Sequence, residues 1–127
     1  MKNFFDLSDQ SCSAEGPELF ETILSGPDGL RVERIVSWGQ VTPPGQWYDQ
    51  PDDEWVMVLE GEARLAWDDG REVTLTKGDQ LFLPAHKRHR VTHTSRPCLW
   101  LAVRGQQLVP TASSRANQGL AVSGCSR

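Results

Sequence analysis

Cysteine is scarce in this chain. The three thiols, Cys12, Cys98 and Cys125, form no CxxC pair and are odd in number, which argues against a disulfide framework and against a zinc ribbon. Long apolar runs are missing too. The opening stretch MKNFFDLSDQ has no signal-peptide core, and no segment approaches the roughly 20 residues that span a bilayer; the expectation is a reduced, cytoplasmic protein without a membrane partner. Positive charge is in deficit, with 13 Lys and Arg against 17 Asp and Glu and a net charge of −4. A phosphate-binding stripe is therefore lacking, and nucleic acid is not an expected partner. The one basic cluster, HKRHR at His86–Arg90, reads as a decorated turn for Lys87 and Arg88. Helical spacing is nearly absent and no internal repeat is visible.

What is present is a succession of short strands. At 127 residues the chain is long enough for one core, and turn chemistry interrupts it at close intervals. LFETIL and LRVERIV flank SGPDG, a hairpin signal. VTPPG cannot continue a ladder, because proline has no backbone donor, so Val41–Gly45 is a connection. EWVMVLE, EARLAW, REVTLT, QLFLP, HRVTH and CLWLAV follow, each ended by Gly, Pro or a polar cluster. An all-β sandwich or barrel is predicted over residues 19–104. Residues 1–18 are expected to form an arm with at most an edge strand. Residues 105–127, rich in Ser, Gly, Gln and Ala and without a periodic apolar pattern, read as a disordered tail.

Side-chain alternation singles out a site. Ala63, Leu65 and Trp67 share one face of their strand, whereas EWVMVLE is apolar on both faces and reads as a central strand. Glu54 has the parity of Val56 and Val58, which aims a carboxylate into a covered apolar face. It needs a partner there, an arginine or a hydrogen-bond donor, unless the strand begins only at Trp55 and leaves it wet. In HRVTH, His89, Val91 and His93 alternate onto the face opposite Arg90, so two imidazoles are expected inside. Imidazole and carboxylate together form the ligand set of a divalent metal. Asp49 offers a second carboxylate, with Trp47 on its face; alternatively Asp49, Asp52 and Asp53 are simply an acidic loop.

These residues resemble the cupins. The first cupin motif has a His-x-His pair, a glutamate three or four residues later, and a glycine after six more; Glu54 and Gly61 reproduce that last spacing. In the second motif, GDQLFLPAHKRHRVTH puts Gly78, Pro84 and His89 at the glycine, proline and histidine positions. The similarity runs from about Val32 to Val103. The chain departs from the pattern where His-x-His would fall, on Trp47 and Asp49 or on Tyr48 and Gln50. The leading glycine would fall at Val41 or Thr42, His86 replaces the last glycine of Pro-x-Gly, and His93 replaces an asparagine.

The resemblance implies a small cupin-like β-barrel or jelly roll. It also implies a mononuclear site for Fe, Mn, Ni or Zn held by Glu54 and His89, with Asp49 and His93 standing in for the lost histidines. Trp47, Tyr48 and Gln50 would line the mouth for a small-molecule ligand. Such a site would belong to a metal-dependent enzyme of dioxygenase or isomerase type; the alternative is a metal-free binding or sensor module. Trp55, Met57 and Leu59, facing away from Glu54, need a cover, and a homodimer is the expected source.

Overall fold

The computed structural model describes residues 2–8 and 16–111. Its strands are β1 (Leu19–Ser25), β2 (Arg31–Ser37), β3 (Asp53–Glu60), β4 (Glu62–Trp67), β5 (Glu72–Thr76), β6 (Gln80–Leu83), β7 (His89–Thr94) and β8 (Cys98–Gly105). A single 3-10 turn at Pro27–Gly29 closes the predicted β1–β2 hairpin. Two sheets result, one of five strands in the order β1-β2-β8-β3-β6 and one of three in the order β5-β4-β7. Every strand pairing is antiparallel, so one face of each sheet can pack inward while the other meets solvent.

The alternation expected of β3 is present: Glu54, Val56 and Val58 are buried, and Trp55, Met57 and Leu59 are half-buried on the other side. Val56 and Val58 join Ile35, Leu65, Leu83 and Trp100 in the core between the sheets. Gly61 makes the crossing from β3 in the large sheet to β4 in the small one. Its φ of +89° lies in the left-handed region, and a Cβ there would meet the Ser95 hydroxyl and stand 2.5 Å from the Pro97 carbonyl. Glycine is required twice over, by conformation and by space.

The segment between β2 and β3 forms no strand except for one bridge, Tyr48 to His89, with Tyr48 N–H donating to the His89 carbonyl at 2.7 Å. The arm contributes packing from residues 2–8. Arg34 on β2, only 2% exposed, donates to the Phe4 carbonyl at 2.7 Å, the Asp6 carbonyl at 3.0 Å and the Glu21 carboxylate at 2.9 Å. After β8, Gln106 bonds Asp52 at 2.9 Å and the Leu108 N–H bonds Asp53 at 3.0 Å. The remainder of the expected tail, 112–127, lies outside the described residues. Among the described residues no helix is long and apolar enough to cross a membrane.

Candidate functional site

Between the sheets, near the start of β3, lies a cavity of about 70 Å³. Its polar lining is Glu18, Tyr48, Gln50, Glu54, His89 and Arg104, set against apolar walls that include Ile35, Val56, Leu65 and Trp100. Register explains the polar end. Glu54 on β3 pairs with Arg104 on β8, which pairs in turn with Arg31 on β2, so like-facing side chains of three neighbouring strands form one charged row.

In that row each nitrogen of the Arg104 guanidinium has a partner. Its Nε donates to Glu33 at 2.9 Å, its Nη2 lies 3.3 Å from the Glu54 carboxylate, and its Nη1 donates to the Gln50 amide oxygen, whose NH2 in turn donates to Glu54 at 3.2 Å. Arg31 completes the chain, 3.3 Å from Glu33 and 3.7 Å from Asp52. Here is the arginine partner that an inward Glu54 demanded. Burial pushes the Glu54 carboxyl above the usual carboxylate range, and Arg104 opposes that shift.

His89 is 5% exposed and stacks on Tyr48 with ring centroids 5.5 Å apart. Its Nδ1 stands 3.1 Å from the Lys87 carbonyl. A carbonyl only accepts, so Nδ1 carries the proton and Nε2 is left as an acceptor. Burial holds His89 below the ordinary histidine value and keeps it neutral. At the opposite wall, the Ser37 hydroxyl donates to Glu18 and the Trp100 indole N–H donates to Ser37 at 3.0 Å. Burial raises the Glu18 carboxyl, and Ser37 opposes this.

The other residues singled out in the sequence lie elsewhere. Tyr48 and Gln50, two positions apart, both line the cavity, whereas Trp47 and Asp49 do not. Trp47 sits near the Arg88 and Arg90 guanidiniums at 5.8 and 5.9 Å, and Asp49 accepts from His86 Nδ1 at 2.8 Å with its side chain 50% exposed. They share a face, as expected, but it is the outer one. His93 is displaced by a β-bulge. Leu65 pairs with Val91 but Arg64 pairs with His93, so Thr92 is an extra residue that reverses the alternation of β7. Thr94 is consequently buried opposite Ala63, and His93 lies opposite exposed Arg64.

Of the four expected ligands, then, the structure brings Glu54 and His89 to the cavity and leaves Asp49 and His93 out. Among the described residues no group of three or more His, Cys, Asp and Glu side chains is placed to hold a metal ion. The residues present do not fit the divalent cation implied by the resemblance, because a guanidinium already neutralises the carboxylate that would ligate it. Sequence reasoning missed Arg104 and Glu18 as site residues. Arg104 was signalled by its parity with Trp100 and Ala102; Glu18, just ahead of β1, carried no comparable signal.

Comparison with known proteins agrees with this architecture. Residues 38–104 match the Cupin domain family, and the chain belongs to it. A candidate mannose-6-phosphate isomerase from Ralstonia eutropha JMP134 is 41% identical in sequence with a TM-score of 0.74, over 84% of this chain and 97% of that one. A cupin superfamily protein from Desulfitobacterium hafniense DCB-2 is 19% identical with a TM-score of 0.62, over 75% and 83% of the two chains. The DMSP lyase DddQ from Ruegeria pomeroyi DSS-3 shares the fold at 20% identity and a TM-score of 0.60, over 74% of this chain and 49% of that one. No curated protein sequence matches significantly.

Proposed function

We propose that this chain is a metal-free cupin that binds a small organic molecule in the cavity between Tyr48, His89 and Trp100. The observation that carries this reading is the Arg104–Glu54 pair: the position where the resemblance puts a metal-ligating carboxylate is filled by an internal cation 3.3 Å away. Tyr48 and Gln50 contribute the polar mouth, and the apolar wall excludes water from the ligand's body.

The competing proposal, a divalent ion held by Asp49, Glu54, His89 and His93, is separated from it by elemental analysis of untagged protein purified without chelator, alongside His89→Ala. Metal well below one equivalent in both proteins, with no saturable tryptophan fluorescence response to iron, manganese or nickel, is the expected result. Near-stoichiometric metal that disappears in His89→Ala would overturn it.

A second reading is favoured by the identity to the Ralstonia protein. Glu54, raised in pKa, and neutral His89 are suited to moving a proton between adjacent carbons of a sugar. Turnover of a small aldose to its ketose isomer, lost in Glu54→Gln, would establish it; the cavity of about 70 Å³ leaves no room for a hexose phosphate.

A further inference from the structure

The hydrogen-bonding capacity left over in the cavity is mostly that of acceptors. Glu18 has Ser37 as its hydrogen-bond partner among the described residues, and a carboxylate accepts about four hydrogen bonds. His89 Nε2 is an acceptor on a side chain that is almost wholly buried. The guanidinium of Arg104, which would otherwise receive an anion, is occupied on three sides by Glu33, Glu54 and Gln50. Among the acidic and basic residues that line the cavity, two carboxyl groups, Glu18 and Glu54, stand with one guanidinium, that of Arg104. The balance is negative, and a phosphate or carboxylate entering it would meet like charge, whereas Glu18 and His89 Nε2 offer acceptors to a donor.

Granting that the cavity binds a small organic molecule, we propose that its ligand is a small organic cation of the primary ammonium class. Glu18 is the carboxylate that receives its N–H groups, and His89 Nε2 is a second acceptor. The apolar body lies against Trp100 and Ile35, and the cavity volume of about 70 Å³ restricts that body to a few carbon atoms. The Trp100–Ser37–Glu18 chain reports on occupancy, because a donor arriving at Glu18 polarises the Ser37 hydroxyl and through it the indole N–H.

The test uses three probes of one size, propylammonium, 1,2-propanediol and propionate, titrated into the full chain while the Trp100 indole N–H resonance is followed by NMR. Propylammonium is expected to give a saturable shift and propionate none, and Glu18→Gln, which keeps an acceptor for Ser37, is expected to weaken propylammonium by about tenfold. Saturable binding of propionate or the diol without propylammonium would overturn the ammonium class while leaving the cavity a binding site. No saturable response to any probe would overturn both. Unchanged propylammonium affinity in Glu18→Gln would remove Glu18 from the site. Should that variant fail to fold, the comparison of the three probes on the unaltered chain still decides the class.

Discussion

Arg104 and Glu54 face each other across the β8–β3 ladder with Nη2 3.3 Å from Oε2, their side chains 13% and 6% exposed. Removing one member of a buried pair strands the other's charge, at a cost of about 3–5 kcal/mol. Arg104→Met is therefore expected to lose stability of that order near neutral pH in urea unfolding. The loss should shrink as the pH falls and Glu54 takes up a proton. Adding Glu54→Gln should recover much of it. A loss below about 1 kcal/mol would show that the pair is not what holds this end of the barrel.

His89 supplies a pH signature. Its folded pKa lies below the ordinary histidine value of 6.5 because it is buried. The unfolded chain thus binds the proton first, and stability falls as the pH drops below that value, down to the depressed folded one. Thermal melts between pH 7 and pH 5 should show wild type losing more stability than His89→Gln. Parallel slopes for the two proteins would refute the assignment. Glu18 and Glu54, both raised by burial, act in the opposite sense, because the folded state holds their protons to higher pH. Only the difference between the two proteins isolates the histidine.

Gly61→Ala asks for a left-handed backbone and a Cβ that stands 2.5 Å from the Pro97 carbonyl. Strain and overpacking add, and a loss of more than about 2 kcal/mol, or insoluble protein, is expected. Gly70→Ala is the control, since it shares the positive φ but has nothing within 4 Å of the added Cβ. Equal melting temperatures for the two variants would show that crowding at Gly61 is unimportant.

Cys98 should be chemically silent. It is fully buried, and burial pushes its thiol up to about 12, so almost no thiolate exists at pH 8. Peptide mapping after alkylation of native protein should leave Cys98 unmodified. Modification there without denaturant would mean that β8 opens readily.

Much of the fold was legible because strand alternation and turn residues are local signals. Each of the six segments from EWVMVLE to CLWLAV corresponds to a strand of the structure, and the two-sided burial of β3 could be read from Trp55 through Leu59. The inward aim of Glu54 followed from the same parity. What could not be read was which residues meet across the sheets. Arg104 is 50 positions from Glu54, and only the β3–β8 register joins them. The bulge was equally hidden, since nothing in HRVTH marks Thr92 as the residue to be skipped. The outward turn of Trp47 and Asp49 depends on the isolated Tyr48–His89 bridge, a contact between distant segments.

The bulge at Thr92 sets a length rather than a composition. His93 misses the cavity because β7 carries one residue more than β4 opposite it. Removing Thr92 would abolish the bulge yet leave His93 opposite Arg64 and outside; giving β4 a matching residue between Arg64 and Leu65 would instead pair Thr92, restore the two-residue repeat, bring His93 in beside His89 and turn Thr94 outward. The number of histidines available to this barrel is thus decided by how many residues β4 sets against β7, and an insertion there would alter the chemistry of the interior more than most substitutions in its lining.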